Sequence, residues 1–152
     1  IFIKRLKMKN SNKQIIINHK ARDLYNIVLD IEKYPDYIPW CKDIIIKSTN
    51  DNELVADMVV NYKFFPTQIF SSHVTFDKKK LIINTTYIDG PLKNLITSWD
   101  FEKLDLKKTM ITFSLKFEFK KYLHQKLAEL FFPLVENSMV DSFIKRANET
   151  LD

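Results

Sequence analysis

The spacing of apolar residues changes twice along the chain. Between residues 44 and 119 apolar and polar side chains alternate with a period of two, which is typical of strands with one buried and one wet face. The clearest run has apolar residues at every second position, namely Ile111, Phe113, Leu115, Phe117 and Phe119. Turn-forming residues interrupt the alternation, so this part of the chain predicts about six strands of an antiparallel sheet.

Helical spacing flanks this region on both sides. After a short β-rich run at residues 14–18, apolar residues from Ala21 onward recur at intervals of three and four until Tyr34-Pro35, where proline disfavours helix in the residue before it. We expect a second short turn or helix over residues 36–38. From Lys120 an apolar stripe continues for nearly thirty residues and predicts a long C-terminal helix, kinked at Pro133.

The order of these elements predicts an α+β fold. A sheet with one apolar face must be covered, and the long amphipathic helix is the only predicted element able to cover it. We expect a curved antiparallel sheet of about seven strands wrapped around that helix, with two short helices after the first strand. The chain of 152 residues has no Gly/Ser linker, so residues 13–152 form a single domain after a basic tail at residues 1–12.

Composition excludes several classes of protein. Gly90 is the only glycine, which excludes the glycine-rich loops that cradle phosphates. Cys41 is the only cysteine, so no internal disulfide can form. No apolar run reaches 18 residues. The net charge of +5 favours acidic partners in general, among them anionic lipids and RNA.

The sequence offers little for catalysis or for a metal. His19, His73 and His124 have no cysteine or second histidine at metal-ligand spacing, and Cys41 has no histidine nearby in the sequence. We therefore expect no catalytic residues, no metal site and no built-in cofactor. A share of 13% aromatic residues instead provides large rings, which either fill a core or line a cavity.

Four short strings carry a resemblance to a known family. They are YPDYIPWC at residues 34–41, Gly90-Pro91 followed by WDF at 99–101, FEF at 117–119, and MVDSF at 139–143 followed by Lys145-Arg146-Ala147. Their order and spacing resemble the START-like, or helix-grip, superfamily. More narrowly, they resemble coenzyme Q-binding proteins and bacterial relatives described as ribosome-association toxins or as polyketide cyclase-like. The sequence departs from the family pattern at Leu92 and in the loop at residues 64–67.

This resemblance implies a tunnel between sheet and helix that holds a hydrophobic ligand without catalysis. The ligand would be ubiquinone or another polyprenyl lipid, serving respiratory electron transfer or quinone biosynthesis. From the apolar parity of each element, we expect the ligand to contact Trp40, Met58, Tyr62, Phe70, Trp99, Phe101, Phe113, Phe117, Phe131, Leu134 and Phe143. We expect a cavity mouth or structural turns at Pro39, Cys41, Gly90 and Pro91.

Two other functions stay open at this stage. One is association with the large ribosomal subunit and inhibition of translation. This function would require the basic runs at residues 78–80, 107–108 and 120–121 to lie together on one edge of the domain. The other is a polyketide cyclase or aromatase. Lys145 and Arg146 allow peripheral contact with an anionic membrane, and no DNA partner is expected. The location would be the bacterial cytoplasm or inner membrane surface, or the mitochondrial matrix face.

Overall fold

The computed structural model of the protein describes residues 9–61, 66–119 and 134–151. Seven strands form one antiparallel sheet in the order β1-β7-β6-β5-β4-β3-β2. Their bounds are β1 (Lys9–Ile17), β2 (Cys41–Thr49), β3 (Glu53–Val60), β4 (Gln68–Asp77), β5 (Ile82–Asp89), β6 (Leu92–Asp105) and β7 (Lys108–Phe119). The predicted fold class is confirmed: a curved seven-stranded antiparallel sheet with a C-terminal helix and short helices.

The first strand starts earlier than the sequence predicts. Residues 9–12 already pair with β7, with Lys9 opposite Phe117 and Asn12 opposite Ser114. The predicted basic tail of residues 1–12 therefore overlaps β1 by these four residues. The polar character of this stretch concealed the strand, because β1 lies at the edge of the sheet and its alternate side chains are exposed.

Two short helical segments follow β1, but their division differs from the prediction. Helix α1 spans Ala21–Leu29 and ends at Asp30, whose backbone N–H donates to the Asn26 carbonyl at 3.0 Å. A 3₁₀ helix then spans Ile31–Asp36. The predicted single helix up to Tyr34 and second turn at residues 36–38 are therefore corrected. Pro35 fits the 3₁₀ segment because it has no backbone N–H to place in a longer α-helical ladder.

The C-terminal helix is described from residue 134. A π-helical turn over Leu134–Met139 leads into helix α2, Val140–Thr150. The predicted start at Lys120 and the kink at Pro133 lie outside the described residues. Insertion of a π turn widens the helix locally, and such turns are often found beside functional sites.

The inner face of the sheet follows the predicted parity. Buried residues on it include Leu54, Ala56, Val60, Phe70, Val74, Ile83, Trp99, Phe101, Ile111, Phe113, Leu115 and Phe117. Helix α1 contributes Leu24 and Val28 to the same core, and α2 contributes Val140, Phe143 and Ala147. These helices cover the apolar face, which is the reason that a sheet of this pattern is stable in water.

The antiparallel order places alternate turns at opposite ends of the sheet. The β2–β3, β4–β5 and β6–β7 turns share one end with the start of α1, and we call this the α1 end. Arg22 of α1 donates from its guanidinium to the Lys78 carbonyl at 3.1 Å in the β4–β5 turn. The hydroxyl of the fully buried Thr109 donates to the His19 carbonyl at 2.7 Å. These contacts fix α1 across the sheet.

Candidate functional site

A cavity of about 100 Å³ lies between the inner face of the sheet and the helices. A cavity that holds one water molecule measures about 10–15 Å³, so this one is several times larger. The described residues that line it are predominantly apolar: Val28, Ile31, Tyr34, Trp40, Ile44, Ala56, Met58, Val60, Phe70, Ser72, Val74, Ile83, Thr85, Leu95, Thr97, Trp99, Leu115, Met139 and Phe143.

Five of the predicted ligand contacts line this cavity. They are Trp40, Met58, Phe70, Trp99 and Phe143, which come from the residue before β2, from β3, β4 and β6, and from α2. Both tryptophans of the chain are therefore in its wall. The structure thus brings together residues more than one hundred positions apart in the sequence around one apolar space.

Three other predicted contacts are buried but do not line this cavity. Phe113 and Phe117 are each 1% exposed, and the Phe113 ring lies 4.4 Å from Trp99, centroid to centroid. Phe101 instead borders a second, much smaller cavity beneath α1 and α2. The alternation of apolar residues thus correctly predicts that all three side chains are on the inner face. Their rings pack between neighbouring side chains and do not border the larger cavity.

The remaining predicted contacts fall where the side chains are not described. Leu134 begins the π-helical turn, but its side chain is outside the described part of the structure. Tyr62 and Phe131 lie outside the described residues. These three assignments stay predictions.

The four residues predicted at a mouth or turn do not line the cavity. Pro39 is exposed, and Cys41 is buried as the first residue of β2. Gly90 and Pro91 connect β5 to β6. Gly90 has φ +142°, and a Cβ added there would lie 2.6 Å from the Ile69 carbonyl oxygen, so only glycine fits this turn.

Aromatic contacts connect the cavity wall to the helices. The centroid of the Phe143 ring lies 5.1 Å from the ring centroids of both Tyr34 and Trp99, and both contacts are edge-to-face. The Trp40 indole N–H donates to the Ser138 hydroxyl at 3.1 Å, which ties the start of β2 to the π-helical turn. Met139 of that turn also lines the cavity. Ring contacts of Phe143 and the hydrogen bond from Trp40 thus hold the C-terminal helix against the cavity.

The polar groups of the wall are few and neutral. The Tyr34 hydroxyl donates to the Val28 carbonyl, and burial raises the pKa of Tyr34 well above its ordinary value. Ser72, Thr85 and Thr97 add three hydroxyls from adjacent strands. No Asp, Glu, His, Lys or Arg side chain is among the described lining residues. The wall can therefore solvate an apolar molecule and offer a few hydrogen bonds, but the described part provides no ion pair.

Sequence reasoning missed these hydroxyls, although a signal was present. Thr85 lies between Ile83 and Tyr87, and Thr97 lies between Leu95 and Trp99, in the alternation that marks the inner face. A polar residue at an inward position is such a signal, because burying a hydroxyl is unfavourable without a partner. The sequence analysis also missed three lining residues from the helical segments: Val28 of α1, and Ile31 and Tyr34 of the 3₁₀ helix.

Within the described ranges, no cluster of three or more His, Cys, Asp or Glu side chains could hold a metal ion. Over the same ranges, no helix combines the length and apolar character needed to cross a bilayer.

A curved antiparallel sheet closed by a C-terminal helix, with an apolar cavity between them, defines the class of helix-grip domains. The chain matches the model of the family described as polyketide cyclase/dehydrase and lipid transport over residues 17–144. The protein belongs to this family. The predicted START-like membership is thereby confirmed.

Relatives in this family carry different names. The chain is 28% identical over 138 residues to the ribosome association toxin RatA of Rickettsia prowazekii, covering 90% of this chain and 94% of the relative. It is 29% identical over 138 residues to the mitochondrial coenzyme Q-binding protein COQ10 of Drosophila melanogaster. That match covers 88% of this chain and 56% of the relative, so the chain spans little more than half of that protein.

Solved structures share the fold at low identity. The Zhui aromatase/cyclase from Streptomyces sp. R1128 superposes with a TM-score of 0.84 at 14% identity, covering 96% of this chain and 97% of that protein. A START superfamily protein from Mycobacterium smegmatis has a TM-score of 0.75 at 17% identity, covering 92% and 97% of the two chains. At these identities the likeness establishes the fold alone.

Proposed function

We propose that the protein binds a hydrophobic ligand in the cavity and does not transform it. The observation that carries the proposal is the predominantly apolar cavity of about 100 Å³, lined by both tryptophans. Apolar cavities of this order stay dry and bind molecules the size of benzene, so the space suits a ring or a branched isoprene unit. Each buried methylene contributes about 0.8 kcal/mol to such binding.

The ligand we favour is ubiquinone or another polyprenyl lipid. A quinone combines a flat ring, which fits a wall rich in aromatic side chains, with a tail that carries no charge. The relative named coenzyme Q-binding protein supports this choice. Such a protein would hold the lipid for respiratory electron transfer or quinone biosynthesis, at a membrane surface in a bacterium or on the matrix face in a mitochondrion.

Binding rather than catalysis is supported by the chemistry of the wall. A cyclase needs an acid or base placed against its substrate. In the described part of the lining, Tyr34 is the only ionisable side chain, and burial raises its pKa away from neutrality. A cyclase function would therefore depend on groups other than the described lining residues.

Native mass spectrometry of protein purified from a membrane-containing host tests the proposal, with organic extraction to identify what is bound. We expect a quinone or polyprenyl lipid at near-stoichiometric amount. Protein that carries no lipid, and that binds none when purified quinone is added, would contradict it.

A second candidate, ribosome association, is supported by a different surface. Two of the three basic runs, residues 78–80 and 107–108, lie in turns at the α1 end of the sheet and are exposed. Arg22 joins them through its hydrogen bond to the Lys78 carbonyl. The third run, residues 120–121, lies outside the described residues. Clustered exposed cations favour a polyanion such as ribosomal RNA, and the relative named ribosome association toxin agrees with this reading.

Charge reversal at the α1 end tests this candidate. We would compare co-sedimentation with the large ribosomal subunit for the wild type, the double variant Lys107→Glu/Lys108→Glu, and a control, Lys33→Glu/Lys42→Glu, which changes two exposed lysines away from that end. The candidate predicts salt-sensitive co-sedimentation that only the first variant loses. Equal behaviour of the two variants would rule out this surface.

A further inference from the structure

Three hydroxyl groups form one patch inside the cavity. Thr85 of β5 and Thr97 of β6 are directly paired across the two strands. Ser72 of β4 is one step along the same face, since Val74 is the partner of Thr85. Directly paired side chains on one face of a sheet have Cβ atoms about 5 Å apart, and diagonal neighbours are about 7–8 Å apart. One small polar group can therefore contact at least two of these hydroxyls.

The three hydroxyls have no side-chain hydrogen bond in the part of the chain that the structure describes. Thr97 is only 8% exposed. Buried hydroxyls normally have a partner, because an unsatisfied one loses its hydrogen bonds to water without replacement. Ser72 and Thr85 are only partly buried, and all three hydroxyls border the cavity, so they can donate to a polar group of a molecule bound there.

The other polar groups of the wall are already engaged. The Tyr34 hydroxyl donates to the Val28 carbonyl, and the Trp40 indole N–H donates to Ser138. These two groups fix the wall itself. Ser72, Thr85 and Thr97 are thus the side chains of the described lining that still have a hydrogen-bond donor available for a ligand.

We propose that Ser72, Thr85 and Thr97 form the subsite for the head group of the ligand and donate to its carbonyl or ether oxygens. This inference rests on the proposed function, because it assumes that the cavity holds a hydrophobic molecule. It excludes both ligands without polar atoms and ligands with a charged head group. A pure hydrocarbon leaves the hydroxyls unpaired, whereas an ionised head group would lack a countercharge among the described lining residues. A neutral molecule with one or two carbonyl or ether oxygens, such as a quinone, satisfies the patch.

The test compares two probes with the same alkyl chain. Decylubiquinone carries carbonyl and methoxy oxygens, whereas decylbenzene carries none. Quinone binding is followed by quenching of Trp40 and Trp99, which are both in the cavity wall. Decylbenzene binding is measured by its competition with decylubiquinone. Threonine-to-valine changes remove the hydroxyl at nearly constant shape, so Thr97→Val, Thr85→Val and the smaller change Ser72→Ala are the variants. Thr86→Val, on the exposed face of β5, is the control.

We expect Thr97→Val and Thr85→Val each to weaken decylubiquinone binding by roughly threefold to tenfold, the loss of one neutral hydrogen bond. Decylbenzene binding should be unchanged or tighter, and Thr86→Val should alter neither probe. Equal effects on both probes, or no effect on the quinone, would overturn the head-group assignment. Wild-type protein that binds decylbenzene as tightly as the quinone would also overturn it while leaving the proposed function intact. Failure of the wild type to bind either probe would remove the proposed function itself.

Discussion

Filling the cavity should abolish ligand binding and stabilise the empty protein. Ala56 lies on the inner face of β3, next to the edge strand β2, where it is 6% exposed and lines the cavity. Its neighbours across the sheet are Ile46 on β2 and Ser72 on β4. Ala56→Leu places a branched aliphatic side chain into the void, where a ligand would otherwise lie.

The expected gain in stability follows from the volume of the cavity. An unfilled apolar cavity costs the folded state about 24 cal/mol per Å³, so 100 Å³ corresponds to about 2.4 kcal/mol. A leucine that fills about half of it recovers roughly 1 kcal/mol. For a domain of 152 residues that gain raises the Tm by about 2–4 °C.

Thermal unfolding of delipidated protein provides the assay, and Ala147→Leu provides the control. Ala147 is fully buried on α2 but does not line the cavity, so the same substitution overpacks the core and should cost about 1–3 kcal/mol. We therefore expect opposite shifts in Tm for the same change at these two buried alanines. A fall in Tm for Ala56→Leu as large as that for Ala147→Leu would refute the existence of a void at this position.

Three further predictions concern the surroundings of the site. Gly90→Ala should lower the free energy of unfolding by about 1–3 kcal/mol, measured as a fall in the urea midpoint, because its φ is positive and its Cβ would meet the Ile69 carbonyl oxygen. Burial raises the pKa of the Cys41 thiol to about 12, so native protein at pH 8 should react with a thiol reagent far more slowly than urea-unfolded protein, and equal rates would contradict this. A hydrogen bond from His73 lowers the pKa of the Glu53 carboxyl below its ordinary value. The ionised carboxylate therefore stabilises the native state at pH values above the ordinary carboxyl pKa, and this stabilisation is lost as the pH falls through the lowered pKa. The variant His73→Phe should therefore be less stable than wild type at neutral pH, and the difference in the free energy of unfolding should shrink as the pH falls to about 3. A difference that does not change with pH would contradict the assignment.

The fold was largely predictable because its determinants are local and periodic. Alternation fixed which side of each strand faces inward, and the structure confirms this for Leu54, Phe70, Trp99 and Ile111, which are all buried. Helix boundaries were less predictable. Tyr34 was assigned to the end of one helix, whereas a break after Leu29 and a 3₁₀ turn carry it into the cavity wall.

The cavity itself could not be read from periodicity. Periodicity predicts only that an inward side chain is buried. The packing between the sheet and the helices decides whether that side chain fills space or borders a cavity. Phe113 and Trp99 illustrate the difference: both face inward in paired positions, yet only Trp99 borders the larger cavity, with Phe113 packed against it. The inward hydroxyls of Thr85 and Thr97 were the one local sign of a site, because polar residues are unfavourable in a closed core.

The most direct test of the central claim is native mass spectrometry of the wild type and Ala56→Leu purified in parallel from the same membrane-containing host. If the cavity holds the ligand, the wild type carries a neutral lipid with quinone or other carbonyl or ether oxygens, and the folded variant carries none. An empty wild type that also fails to take up added quinone would contradict a ligand site in the cavity, as would equal lipid loading of the two proteins.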